Sequence, residues 1–534
     1  MFQRHFAAHI FRHIAKNLIQ MQKRRIKYPI IPALSSIPKA FTDHTAKPDS
    51  SKRPFPWKIN VVVPYLLTVN LGDQERGSAM MKSNLAIALL PVLIGAAIAD
   101  GAAATYYTSS HGSDSNPGTL AAPFLTIAKG VLATKAGDTL YVMTGVYNEV
   151  VNVTANGTST AHVTVMAYPG DTPVIDGGGA LPSGSATFKP LVGLRGTYDV
   201  LSGFEIRNTN PVNYGTCMAI SGSYSTATAL KVHNCHGNGI ILSGSHGTIS
   251  NSSVSYAYSA GIVATSSYGL IQGNTVFENA YSNCRATGCP NSAYQDGGWA
   301  QGITVAGAIS SSLNATKYNV VTNNTVYNNW GEGIGTYQAN NTRIENNIAY
   351  DNWALQFYIS DAQYITTTYN LAYVSSAPAI ALRPIVQHYC FSFADEKSAA
   401  MRSENNTLAY NYCIGGVALM SQTQVPLSYL TNFYMANNTI VNGTIYTDSL
   451  ARGSKVANNI IDGSIVASVP ASSGISWVSN AWLIAPPPNA KGTGTWQGDP
   501  KVSENGSTLP GRLTTAYFTL LSSSPIKNAG IGAP

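Results

Sequence analysis

The chain has 534 residues, of which 11% are charged, 44% hydrophobic and 48 are glycine. A soluble domain ordinarily carries roughly a quarter charged residues, so this composition excludes a long helical or coiled-coil protein, and the hydrophobic content excludes general disorder. A net charge of +7 suggests a polyanion binder until it is located: residues 1 to 80 hold 13 Lys and Arg against 4 acids, leaving 19 basic and 21 acidic residues for the rest.

In chain order, residues 1–79 form a basic extension with a Lys23 to Lys27 cluster and no periodicity shared with the rest of the chain. It is expected to be disordered or not part of the natural product, with translation starting at Met80 or Met81. Residues 80–99 then have the parts of a secretory signal peptide: Lys82, an apolar run from Leu85 to Ile98, and Ala97-Ile98-Ala99. The run is shorter than the roughly 18 apolar residues a membrane span needs, so the mature chain is expected without a span. Export to an extracellular or periplasmic space agrees with six cysteines, all after this segment. Six cysteines allow 15 connectivities; local pairing joins Cys217 to Cys235, Cys284 to Cys289 and Cys390 to Cys413.

From about residue 198 the sequence repeats with a period of 20 to 23. Copies include Leu270-Ile271-Gln272-Gly273-Asn274, Val320-Val321-Thr322-Asn323-Asn324 and Arg343-Ile344-Glu345-Asn346-Asn347, each followed by a short β-branched or aromatic run. A Gly-Ile step then recurs at Gly239, Gly261, Gly302 and Gly333. Short strands separated by Asn, which tolerates left-handed backbone angles, and by Gly, which favours them, describe one coil of a parallel β-helix. Alternation sends the aliphatics inward, and stacked Asn side chains bond along the axis. Ten Asn-x-Ser/Thr triplets occur, mostly at this turn, and are read as inward or ladder asparagines rather than glycosylation sites.

The stretch from Tyr106 to Thr119, followed by Ala122-Pro123-Phe124-Leu125-Thr126-Ile127, Ala136-Gly137-Asp138-Thr139-Leu140-Tyr141-Val142 and Gly145-Val146-Tyr147, resembles the opening of secreted right-handed parallel β-helix proteins of the pectate-lyase-like superfamily. The resemblance implies an all-β, right-handed solenoid with a capping helix over Thr126 to Thr134. Residues 100–195 then form the N-terminal cap and first coils, 196–480 the β-helix with loop insertions at 279–318 and 377–402, and 481–534 a C-terminal cap.

A regular solenoid lacks a pocket, so the insertions are where chemistry is expected. Aligned on the Gly-Ile step, Asn238, Ala260, Gln301, Glu332 and Leu355 share one column; Glu278, Asn328 and Asp351 share another. Asp296, Gln301, Glu332, Asp351 and Asp361 are expected to converge on a groove, with Trp299, Trp330 and Trp353 as sugar platforms and Arg383 as a further substrate contact. Glu332, in a Gly-x-Gly-Ile turn, is expected to point outward into open surroundings. In a lyase a base removes the proton beside the sugar carboxylate, which a cation or basic residue must neutralise. The resemblance implies Lys or Arg as base, which points to Lys317 or Arg343, with Asp296, Glu332 and Asp351 as calcium ligands. The aspartate run of calcium-dependent pectate lyases and the polygalacturonase Asp-Asp and Gly-His motifs do not occur. The expected function is therefore a secreted polyuronate lyase, with a paired-carboxylate hydrolase and a non-enzymatic adhesin as alternatives. Its partner is a polysaccharide or cell-surface glycan, no nucleic acid is expected, and the chain is expected as a monomer.

Overall fold

The computed structural model describes residues 102–283, 300–307, 316–380, 382, 389–396, 401–421, 430–443, 445–447, 451–463 and 474–534. Within Asp100–Pro534, which forms one compact unit, the chain winds through three parallel sheets in a fixed cycle. Sheet I has 14 strands from Thr105–Thr108 to Ser476–Val478, sheet II has 14 from Gly145–Tyr147 to Trp496–Gln497, and sheet III has 11 from Val151–Val153 to Ile445–Thr447. Successive coils pair in register, as Ile249↔Ile271, Ile271↔Val321 and Val321↔Ile344 show. The inward residues form one continuous core, with Ile240, Ile262, Ile303, Ile334 and Phe357 of sheet III all at 0% exposure.

The corners explain the repeat. Between sheets I and II each coil turns on one residue with a left-handed backbone, as at Gly273, Asn323, Asn346, Tyr369 and Tyr410. The next residue is a buried asparagine from Asn274 through Asn324, Asn347, Asn370, Asn411, Asn438 and Asn459 to Asn480. Each of these before Asn480 donates its Nδ2 to the Oδ1 of the asparagine one coil on, at 2.8 to 3.0 Å. Nδ2 also reaches a backbone carbonyl, as Asn347 does to Val321 at 2.9 Å, and Oδ1 accepts the preceding asparagine's backbone N–H. A second, shorter ladder, Asn279, Asn329 and Asn352, lines the corner between sheets II and III.

Two sequence expectations change here. The triplet acceptors Asn251 and Asn323 are exposed, left-handed corner residues, and the ladder uses the residue after them, because only that position turns its amide into the stack. The glycine of the Gly-Ile step is not left-handed either. A Cβ on Gly239 would fall 2.4 Å from Gly261 O, and one on Gly333 would fall 2.4 Å from Gln356 O and 2.7 Å from Asn352 Nδ2. Close approach of neighbouring coils, not φ, excludes a side chain.

At the N-terminal end the helix Ile127–Ala133 buries Ile127 and Val131, with Thr126 as its N-cap. The Glu149 carboxylate accepts the freed Ile127 and Ala128 N–H groups at 2.8 and 2.9 Å. At the other end Trp477, Trp482 and Ala490 join the core. The chain then runs back along the outer face of sheet II, where Leu513, Tyr517, Phe518 and Ile526 pack on Tyr350, Tyr373 and Tyr412. Cys217–Cys235 and Cys390–Cys413 are disulfides; Cys284 and Cys289 lie outside the described residues.

Replacing Asn347 strands the Asn324 amide and the Val321 carbonyl. Asn347→Ala should therefore cost about 3 kcal/mol or more in chemical denaturation, while neighbouring Asn346→Ala, exposed and left-handed, should cost about 1 kcal/mol. Asp199, at 0% exposure, has both carboxylate oxygens without a hydrogen-bond partner. Burial pushes its pKa up to about 7, against the opposing effect of the Gly196 backbone N–H. The folded state thus holds a proton that the unfolded chain releases, so stability should fall as pH rises from about 4 to about 7 and stay flat above. Asp199→Asn should flatten that profile and raise the melting temperature at pH 8.

Candidate functional site

Sheet III departs from the three-residue strands that prevail elsewhere. Gln301–Ala306, Glu332–Tyr337, Phe357–Ser360, Tyr389–Asp395 and Gly416–Ser421 run four to seven residues. The two insertions expected from the sequence, 279–318 and 377–402, contain Gln301–Ala306 and Tyr389–Asp395. Outward positions of these strands align as Thr304, Gly335, Tyr358 and Ser392, because their neighbours Ile334, Phe357, Phe391 and Phe393 point into the core.

On this outer face the Gln301 amide lies over Gly335, where a Cβ would fall 2.2 Å from its Nε2. Only glycine leaves that space. Gln301 Nε2 donates to Glu332 Oε2 at 2.7 Å, and Gln301↔Glu332 are register partners, as the Gly-Ile alignment anticipated. Glu332 is 3% exposed, which corrects the expectation of open surroundings: the glycines beside it admit the next coil's backbone and the Gln301 amide rather than solvent.

One coil further, the Tyr358 hydroxyl donates to Glu396 Oε1. Burial pushes the Tyr358 phenol well above its usual value, and the negative charges of Glu396 and Glu332 push it the same way, so it stays protonated. Burial also raises the Glu396 carboxyl; the Tyr358 hydrogen bond opposes this and neighbouring Asp395 adds to it. Two buried polar atoms at this face, Gln301 Oε1 and Ser392 Oγ, have no hydrogen-bond partner. Asp395 is ion-paired with Arg402 at 2.5 Å. Two carboxylates around one phenol, with unpartnered amide and hydroxyl oxygens nearby, can move a proton to or from a ligand on sheet III.

Most of the other anticipated residues are held in separate structural contacts. Asp351 is in the Glu278–Asn328–Asp351 column, as aligned, but accepts Ser375 N and Oγ at 2.7 and 2.6 Å and so ties down the segment after sheet II. Burial raises its carboxyl against those bonds. Asp361 follows the sheet III strand, accepting from Ser360 at 3.3 Å, at 0% exposure. Trp330 and Trp353 are equivalent, each bonding through its backbone N–H to the coil before; Trp353 is only 6% exposed, and Trp330 is half-buried. Lys317 pairs with Asn340 in a two-residue strand at the opposite end of sheet III from Glu332, and Arg343 starts a sheet I strand beside Glu345 at 3.6 Å. Neither adjoins Glu332, because the corner after sheet III separates them. Asp296, Trp299 and Arg383 lie outside the described residues. Among the described residues no three His, Cys, Asp or Glu side chains are grouped to hold a metal, and Glu332 and Asp351 have separate partners. Tyr358 escaped the sequence reading, although it directly follows its coil's Gln356-Phe357 step; Glu396 lies within the second insertion, where chemistry was expected, but its partner was not foreseen.

Known proteins resemble this chain in fold. The family model described as Pel9A-like, right handed beta helix region matches residues 106–299, and one described as right handed beta helix region matches 302–440. A 134-residue segment is 28% identical to the uncharacterized protein YwoF of Bacillus subtilis, covering 25% of this chain and 26% of that protein. A 77-residue segment is 39% identical to the pectate lyase PEL9 of Emericella nidulans, covering 14% of this chain and 19% of that protein. The matches thus span about a quarter and a fifth of these relatives' lengths. Among solved structures, pectate lyase Pel9A superposes with a TM-score of 0.42 at 16% identity, covering 80% of this chain and 91% of that one. The PL6 family alginate lyase AlyGC gives 0.49 at 15% identity, covering 76% and 57%. At these identities the likeness concerns the fold alone.

Proposed function

From its standing as a right-handed parallel β-helix protein related to the Pel9A and pectate-lyase-like superfamily, we propose that this chain is an exported polysaccharide lyase that cleaves a polyuronate on the outer face of sheet III. The observation that carries the reading is the Tyr358–Glu396 pair beside the Gln301–Glu332 pair on the strands that the insertions flank. The partial likeness to a pectate lyase and two disulfides, which suit an oxidising space, support it.

In β-elimination Tyr358 passes its proton to Glu396 and takes the sugar's C5 proton. The C4–O4 bond breaks as the C4–C5 double bond forms, and Tyr358 returns a proton to the departing oxygen. A phenol held at high pKa makes a strong base once deprotonated, and a carboxylate raised by burial is a better proton acceptor. Neutralising the sugar carboxylate falls to a basic residue or to a cation such as calcium. A second reading, hydrolysis, draws on Glu332 and Glu396 both acting on the same phenol, since hydrolases use paired carboxylates.

Incubating the full chain with polyuronates and neutral glycans, with and without chelator, should give unsaturated products that absorb in the ultraviolet. Reducing ends without that absorbance would replace elimination by hydrolysis, and inertness across the panel would favour an adhesin. Tyr358→Phe and Glu396→Gln should each lower kcat by about a hundredfold or more with an unchanged melting temperature. Because Glu396 must be ionised to accept the proton, activity should rise with pH through a value above the ordinary carboxylate range.

A further inference from the structure

The outer face of sheet II carries an aromatic ladder that stops short. Tyr373, Tyr350, Tyr327 and Phe277 stack in consecutive coils, with ring centroids 5.0, 4.9 and 5.1 Å apart. Phe277 and Tyr327 are within 3° of parallel, so the planes lie across the solenoid axis. The register continues to Ser255 and then His233. At Ser255 the ladder lacks a ring, and among the described residues none covers the free face of Phe277. Two coils separate Phe277 from His233, about 9.6 Å at the usual strand spacing. That gap accommodates one pyranose ring between its walls, with Ser255 as the floor.

Beyond the gap stands a concentration of charge unusual in a chain only 11% charged. Glu205 accepts from Arg207 at 2.6 Å, Lys231 at 3.0 Å and His233 at 3.2 Å, and Arg207 also bonds Asp176 at 2.8 Å. The carboxylates are inside and the cations outside: the Glu205 side chain is 10% exposed, Arg207 31% and Lys231 62%. Burial alone would raise the Glu205 carboxyl, but its bonds to Lys231, His233 and Arg207 outweigh that and hold it below the usual range. Buried anions thus fix the cations in place, and solvent meets the positive ends. A cleft of about 370 Å³ opens beside them, lined by Gly203, Glu205, Leu230, Lys231, Asn251 and Ser253.

We propose that this face is a second carbohydrate site, in which a hexuronate ring of an acidic polysaccharide fills the missing rung against Phe277 and its carboxylate meets the exposed Lys231. Apolar sugar faces stack on aromatic rings, and charge-assisted hydrogen bonds select the acidic substituent. The site shares the acidic polymer with the proposed function but none of its chemistry, and it lies on a different sheet from Tyr358 and Glu396. It would hold polymer to the solenoid while sheet III acts.

The test is affinity electrophoresis of the full chain in gels containing polygalacturonate, alginate or a neutral xylan. The chain should be retarded by a polyuronate and not by xylan, and Lys455→Ala, at an exposed lysine of sheet I, should be retarded equally. Ser255→Tyr, which supplies the missing ring, and Lys231→Ala, on an exposed side chain, should each weaken the apparent affinity by about tenfold. The melting temperature of Ser255→Tyr should match or exceed that of the unaltered chain, and Lys231→Ala, which takes one of three partners from Glu205, should stay folded at the assay temperature. Full retardation of Ser255→Tyr or Lys231→Ala, or none of the unaltered chain, would overturn the site. Retardation without cleavage would overturn the lyase reading and leave this site standing.

Discussion

The structure depends on the buried asparagine that follows each left-handed corner. A coil of about 22 residues must turn three times while leaving no backbone group unpaired inside, and an amide side chain is short enough to fit the stack and carries both a donor and an acceptor. From Asn274 to Asn459 each amide donates along the axis and to a backbone carbonyl, and accepts from the coil before. Once this column is fixed, strand register follows, because a slip of one residue would turn every inward aliphatic outward. The core, the aromatic stacks and the positions of outward side chains are all consequences of that register.

The proposed site lies where the constraint is relaxed. Corners built on the asparagine column are short and uniform, so sheets I and II keep brief strands. Insertions enter around sheet III, whose strands lengthen and whose outer face collects Gln301, Glu332, Tyr358, Ser392 and Glu396. Burial is the main cause that raises the proton affinities of Tyr358 and Glu396 there. The solenoid supplies rigidity, so the cluster is positioned by strands rather than by its own loop.

Much of this was legible in the sequence, for identifiable reasons. The repeat fixed the solenoid, the Gly-Ile alignment placed Gln301 beside Glu332, and the column containing Asp351 was correct in register. What the alignment could not supply was the direction and neighbourhood of a side chain. Glu332 is covered by an amide from another coil, Asp351 is taken up by Ser375 across 24 residues, and the glycines mark contact between coils rather than a left-handed turn. Tyr358 and Glu396 meet across 38 residues that include an insertion, where periodicity gives no register.

The central claim is that sheet III, through Tyr358 and its two carboxylates, is where the sugar is transformed. A crystal structure of the full chain soaked with a short uronate oligosaccharide tests it most directly. The account predicts sugar density across the strands Gln301–Ala306 to Tyr389–Asp395, with a C5 carbon in contact with the Tyr358 oxygen. Sugar bound elsewhere, with the Tyr358–Glu396 hydrogen bond intact and that face holding only water, would contradict it.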